Sequence, residues 1–235
     1  MPLQAVLFDL DDTLTDHQYS VRVGLTALTH QYACLGRTAF DELHETHAHY
    51  LETFHDRVIR GEVSWDEARI QRFQAIFGHY GQPISLEEAA QVAGLFRHAY
   101  LESERAIPGV IPFLQHLRAH SLKIGIITNS TIGEQTAKLR RCGLDSLIDL
   151  MVTAEETRIS KPDPAIFHHT LQRMGYTQSE VIMVGDNWWT DIIGASQAGI
   201  PALWLNRYGH HCPDTSLATE FTTYEPLEEV LSLIV

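Results

Sequence analysis

The sequence predicts an α/β protein, a parallel sheet with helices on both faces, interrupted by an all-helical insertion. Three observations lead there. From Pro108 onward, short apolar runs alternate with amphipathic stretches, the pattern of strands and crossover helices. One apolar run, Leu3 to Phe8, stands far upstream and must join the same sheet, because a lone strand cannot stay unpaired. Between them, from about Tyr19 to Tyr100, no strand signal interrupts a helical texture.

The elements follow in order. Leu3 to Phe8 reads as a buried strand ended abruptly by acidic residues. In the insertion, Val21-Gly24-Leu25-Leu28 and Phe40-Leu43-His47-Tyr50-Leu51-Phe54 place apolar residues at three- and four-residue spacing. Ser64 with Glu67, and Ser85 with Glu88, are capping-box signatures, so a helix is expected to start at each. After Ile107-Pro108-Gly109 come a helix (Val110 to Ala119), a strand (Lys123 to Ile127) and a helix (Ile132 to Cys142) closed by Gly143. Ile148 to Thr153 is a strand candidate, and Asp163 to Met174 a helix closed by Gly175. Val181 to Val184 is a strand, Thr190 to Ala198 a helix, Pro201 to Leu205 the last strand and Leu227 to Leu233 a terminal helix. The expected division is a core of residues 1–16 and 107–235 with a helical insertion of 17–106.

Composition narrows the function classes. The net charge is -13, from 17 basic and 30 acidic residues, which argues against a nucleic-acid polymer as partner. It leaves a small anionic ligand open, since a bound cation reverses the local field. Cys34, Cys142 and Cys212 are too few and scattered for a disulfide framework or zinc knuckle, which suits a reducing cytoplasm. No secretory signal opens the chain, and no apolar run approaches the ~20 residues that span a bilayer, so no membrane role is expected. A monomer or homodimer is expected.

Polar residues gather where strands end, and in an open parallel sheet ligands bind outside the carboxyl ends of the strands. The first strand delivers Asp9 and Asp11; the second delivers Thr128, Asn129 and Ser130. Gly185, Asp186 and Asn187 follow the Val181 strand, with Asp191 on the next turn, and Lys161 lies beyond the Ile148 strand. Clustered carboxylates repel, and a hard divalent cation relieves them; oxygen-only ligands suit magnesium. A carboxylate can also attack phosphorus, dividing one slow hydrolysis into two steps. In that chemistry Thr128 and Lys161 are suited to hold phosphoryl oxygens, and Asp11 to protonate the leaving oxygen and then activate water.

With these residues in view, the chain resembles the haloacid dehalogenase-like hydrolase superfamily. Phe8-Asp9-Leu10-Asp11-Asp12-Thr13-Leu14 matches its first motif, Thr128-Asn129-Ser130 the second, Lys161-Pro162-Asp163-Pro164 the third, and Val184-Gly185-Asp186 through Asp191 the fourth. The resemblance implies a Rossmann-like core carrying a C1-type cap, placed after the first strand, which closes over the site and selects the leaving group. It implies Asp9 as nucleophile and metal ligand, and Asp11 as general acid/base with its backbone carbonyl on the metal. Asp186 becomes a direct Mg²⁺ ligand, Asp191 a metal-supporting residue, and Thr128, Lys161 and the adjoining Asn129 the phosphate-binding set. Because Asp11 is present, phosphoryl transfer to or from a small phosphorylated metabolite is favoured over 2-haloacid dehalogenation. The layout is similar to nucleoside 5′-monophosphate and acylneuraminate-9-phosphate phosphatases in the capped phosphatase branch (subfamily I). A phosphosugar mutase of the β-phosphoglucomutase type shares the motifs and remains open, as does a catalytically silent binding protein on the same fold.

Two further clusters have more modest readings. His44, His47, His49 and His55 crowd one amphipathic segment and are expected as its solvated face rather than a metal site. Of Trp188 and Trp189, one is expected to pack in the core and the other to face the site or the insertion, where a base or sugar could stack. Thr128-Asn129-Ser130 also suits an N-cap before Ile132.

Overall fold

The structure is a computed structural model and describes residues 2–234. Along the chain, β1 (Ala5–Phe8) precedes five helices: α1 (His17–Gln31), α2 (Ala33–Gly36), α3 (Phe40–Ile59), α4 (Trp65–His79) and α5 (Leu86–Glu102). There follow α6 (Val110–Ala119), β2 (Lys123–Thr128), α7 (Ile132–Arg141), β3 (Leu150–Thr153), α8 (Ala154–Thr157) and α9 (Pro164–Met174). The chain continues with β4 (Val181–Gly185), α10 (Gly194–Gln197), β5 (Ala202–Leu205), β6 (Ala218–Phe221) and α11 (Leu227–Leu231). Two compact units result: one runs up to His17 and resumes at Arg105, and the other is Gln18–Glu104.

The first unit is built on one sheet in the order β3-β2-β1-β4-β5-β6, with every pairing parallel. Parallel strands buried on both faces read as continuous apolar runs, and β1 is buried at all its positions. Alternate side chains serve opposite faces. Val6 and Phe8 join Ile124, Ile126, Val184 and Leu203 in one core with Phe113 and Leu117 of α6. Ala5 and Leu7 join Ile127, Val152 and Met183 in the other core, with Phe167 and Leu171 of α9. The chain steps from β1 outward to β2 and β3, then returns to lay β4 on the other side of β1. That reversal opens a crevice beyond the carboxyl ends of β1 and its neighbours.

Three expectations change here. The sheet does not end at β5: β6 pairs with it in register from Ala202↔Ala218 to Leu205↔Phe221. Only Phe221 of this edge strand is buried, so its sequence carries little apolar signal. The helix expected over Thr190 to Ala198 instead begins as a π-helical turn, Trp188–Ile193, and becomes regular only in α10. The Asn187 side chain accepts from the N–H groups of Trp189 and Thr190, both at 3.0 Å, and so fixes the start of that turn. The strand candidate starting at Ile148 begins at Leu150, because Asp145–Leu147 form a short 3₁₀ turn first.

The second unit packs its helices around Leu25, Leu28, Leu43, Phe73, Ile76, Phe77 and Phe96. Both capping boxes form: Ser64 and Ser85 accept from the backbone N–H of Glu67 and Glu88, whose carboxylates return to the serine N–H groups. The histidine expectation needs correction. His49 is exposed and His44 and His55 are half-buried, but His47 is only 2% exposed. Its ring lies 5.1 Å from that of Phe96 and 6.0 Å from that of Phe73. It stands one turn after the buried Leu43, on the inward stripe of α3, and the faces of an imidazole ring are apolar enough to pack there against Phe73 and Phe96.

Replacing Ser85 by alanine removes the cap of α5 and is expected to lower stability by about 1 kcal/mol. Urea unfolding followed by circular dichroism checks this, and an unchanged midpoint would refute a stabilising role for the cap.

Candidate active site

The site starts from the ladder of β1. The Asp9 N–H donates to the Val184 carbonyl at 3.0 Å, so the pairing with β4 runs one residue past the strand and fixes where the Asp9 carboxylate emerges. A tight turn follows. The N–H groups of Leu14 and Thr15 both reach the Leu10 carbonyl at 2.9 Å, and Asp12 takes a left-handed φ of 59°, a conformation aspartate tolerates better than most residues. This turn brings Asp11 and Thr13 back toward the strand ends. Just beyond it the buried Asp16 is held by two guanidinium groups, Arg105 at 2.7 and 3.1 Å and Arg207 twice at 3.1 Å.

Lys161 is the hub. Its ammonium lies 2.5 Å from Asp9 Oδ1 and 2.6 Å from Asp191 Oδ1, almost wholly buried. Its backbone is clasped by Asn129 at the end of β2: the Asn129 amide donates to the Lys161 carbonyl at 2.9 Å, and the Lys161 N–H donates to Asn129 Oδ1 at 2.8 Å. Burial alone would push the lysine toward its neutral form, but the charges of Asp191 and Asp9 overcome this and hold it above the ordinary lysine range.

The carboxylates tell the complementary story. Burial pushes Asp9 up to about 7 against the pull of Lys161, with the Asp191 charge adding to the rise. Asp186 is also raised well above the usual carboxylate range, by burial and then by Asp9 and Asp191. Thr13 donates its hydroxyl to Asp186 Oδ1 at 3.0 Å, and the Trp204 indole N–H anchors the Asp186 backbone carbonyl at 2.7 Å. Asp191, fully buried, accepts the Asn187 N–H at 3.0 Å. Glycine at 185 is required for this fold-back, because any Cβ there would collide with the Asp191 side chain. One oxygen from each of Asp9, Asp186 and Asp191 lies within 4.8 Å of the others. Among the described residues this all-oxygen set, too acidic to be neutralised by one ammonium, fits a hard divalent cation.

Asp11 faces elsewhere. Its Oδ1 pairs with the Lys138 ammonium and lies 4.0 Å from His17 Nδ1; its Oδ2 accepts from the Gln135 amide at 2.8 Å. Partial burial would raise its carboxyl, but Lys138 and then His17 outweigh that and hold it well below the usual range. The same Gln135 amide donates to Thr128 Oγ1 at 3.1 Å. Sequence reasoning missed Gln135 and Lys138. A signal existed: with Leu139 and Cys142 they mark the inward stripe of α7, where polar residues are out of place. Of the tryptophans, Trp188 packs edge-on against Trp204 at 5.1 Å, while Trp189 is 62% exposed.

An acidic cluster around a buried lysine thus stands at the switch point of a parallel sheet. The haloacid dehalogenase-like hydrolase family matches residues 3–199, and the chain belongs to it. It is 34% identical over 199 residues to a ribulose-1,5-bisphosphate 5-phosphatase of Halopiger xanaduensis, covering 83% of this chain and 82% of that one. It is 35% identical over 152 residues to pyrimidine 5′-nucleotidase YjjG of Escherichia coli, covering 64% of each. Among solved structures, the HAD-hydrolase YfnB from Bacillus subtilis, bound to magnesium, superposes with a TM-score of 0.79 at 22% identity, covering 99% of this chain and all of that one.

The raised Asp9 carboxyl has a pH signature. A carboxyl whose folded value lies near 7 and whose unfolded value lies near 4 favours the fold below about pH 4 and loses that contribution as pH rises to about 7. Chelator-treated protein is therefore expected to lose thermal stability across that window, and magnesium chloride to raise the melting temperature more at pH 8 than at pH 5. Equal magnesium effects at the two values would count against cation binding by these carboxylates. Gly185→Ala is expected to remove most of the magnesium-induced rise.

Proposed function

We propose that the chain is a magnesium-dependent phosphatase that hydrolyses small phosphorylated metabolites, of nucleotide or sugar phosphate type, through an aspartyl-phosphate at Asp9. The observation that carries this reading is the Asp9 carboxylate, buried and gripped by Lys161 beside Asp186 and Asp191, with Asp11 two residues on. The names of relatives support the substrate class, since a ribulose-1,5-bisphosphate 5-phosphatase and a pyrimidine 5′-nucleotidase both act on small phosphate esters. Asp11 favours this reading over dehalogenation, in which the departing halide needs no proton.

In the first step a carboxylate oxygen of Asp9 attacks phosphorus, the ester bond breaks, and the leaving oxygen takes a proton from Asp11. Lys138 and His17 hold Asp11 ionised in the free site, so it must be protonated as the negatively charged phosphoryl group arrives beside it. In the second, Asp11 removes a proton from water, whose oxygen attacks the same phosphorus and frees inorganic phosphate and the Asp9 carboxylate. Lys161 and the Thr128 hydroxyl hold the non-bridging oxygens, while Asn129 acts by fixing the Lys161 backbone. Asp9 and Asp186, with Asp191 in support and the Asp11 backbone carbonyl as a further ligand, would hold magnesium, which would supply neutralising charge.

Asp9→Asn is expected to abolish turnover of p-nitrophenyl phosphate with the circular dichroism spectrum unchanged; an active Asp9→Asn enzyme would refute the nucleophile. Asp11→Asn is expected to slow kcat by about 10²–10⁴-fold. A panel of nucleotide and sugar phosphates, ranked by kcat/KM, identifies the preferred leaving group; turnover of none of them with magnesium present would sink the phosphatase reading.

A further inference from the structure

Both oxygens of Asp11 are gripped by one helix. Gln135 and Lys138 stand one turn apart on α7, and both are almost wholly buried. Lys138 pairs with Oδ1 of Asp11, and the Gln135 amide donates to Oδ2 at 2.8 Å. The same amide nitrogen donates to the Thr128 hydroxyl oxygen at 3.1 Å. The Gln135 amide oxygen, meanwhile, is buried without a hydrogen-bond partner. A glutamine kept for stability would turn to satisfy that oxygen, because an unmet buried acceptor is costly. Here the amide spends its donors on site oxygens and leaves its own acceptor bare. A buried lysine–carboxylate pair is likewise weak support for a fold compared with apolar packing.

We propose that Lys138 and Gln135 are positioning residues that act through Asp11, holding its carboxylate in one rotamer and tying that rotamer to the phosphoryl-binding Thr128. The inference rests on reading Asp11 as proton donor and acceptor. A carboxylate on a short side chain otherwise samples several staggered rotamers, and a misplaced proton donor is a slow one. The grip matters most when the leaving oxygen needs its proton. An alkyl alcohol departs poorly as an alkoxide and must be protonated as the ester bond breaks. A p-nitrophenolate is stable enough to leave with little help.

The test compares Lys138→Met, Gln135→Met, Lys138→Arg and Asp11→Asn with the parent enzyme, magnesium present, on p-nitrophenyl phosphate and on glycerol phosphate. Lys138→Met is expected to lower kcat on glycerol phosphate about tenfold, a fraction of what full loss of acid–base catalysis costs. KM is expected to stay within about twofold, and the loss on p-nitrophenyl phosphate to be several times smaller. Lys138→Arg, which keeps the charge, is expected to regain most of the rate. If Lys138→Met does not fold, Gln135→Met is read by the same criteria. Equal losses on the two substrates, a change in KM alone, or no loss would overturn the positioning role. Asp11→Asn separates the two layers. Full turnover of glycerol phosphate by Asp11→Asn would overturn the acid–base reading and the positioning role with it. Loss of turnover in Asp11→Asn, with both methionine variants at parental rate, would leave that reading standing and overturn the positioning role alone.

Discussion

The Lys161 ammonium, 2.5 Å from Asp9 and 2.6 Å from Asp191, is the contact on which the rest of the site depends. Asp9, Asp186 and Asp191 stand within 4.8 Å of one another in a nearly dry place, an arrangement that mutual repulsion and lost hydration would ordinarily forbid. One buried cation makes it tolerable without making it comfortable. Burial, with the Asp191 charge added, still lifts Asp9 to about 7 against the pull of Lys161. In the proposed reading a divalent cation would relieve the remaining carboxylate repulsion, and the same lysine would then share the charge of a phosphoryl group. The ammonium is placed by the backbone: Asn129, at the end of β2, fixes the Lys161 main chain from both sides.

The parallel sheet is what makes such a convergence affordable. β1 lies between β2 and β4, so the residues leaving three neighbouring strands emerge side by side. Asp9, Thr128 and Asp186 come from those three ends. The helices and apolar layers on both faces hold the strands in register and leave the edge free to carry uncompensated charge. Local concessions accumulate there: a left-handed Asp12, a π-helical turn after Asn187, and a glycine at 185 that makes room for Asp191. Each departs from regular secondary structure where the chain must deliver a side chain to one point.

Much of this was legible in the sequence because it follows from short-range rules. The parallel strands announced themselves as apolar runs, and both capping boxes formed where serine and glutamate stood three residues apart. The acidic strand ends were legible because charged residues directly after buried strands have few structural uses. Three features escaped for physical reasons. β6 is a half-exposed edge strand whose apolar content is too low to mark it. His47 looked like part of a polar face, yet an imidazole packed between Phe73 and Phe96 satisfies an inward position that spacing from Leu43 dictated. Gln135 and Lys138 sit far from Asp11 in sequence, and only the crossover from β2 into α7 brings them to it.

The covalent step is the centre of the functional reading, and it can be seen directly. The magnesium-loaded enzyme, quenched during turnover and treated with borohydride, would have any acyl phosphate reduced to an alcohol. Peptide mass spectrometry is then expected to find homoserine in place of Asp9. Unmodified Asp9 in enzyme that is demonstrably turning over, or homoserine at another carboxylate, would contradict Asp9 as the nucleophile.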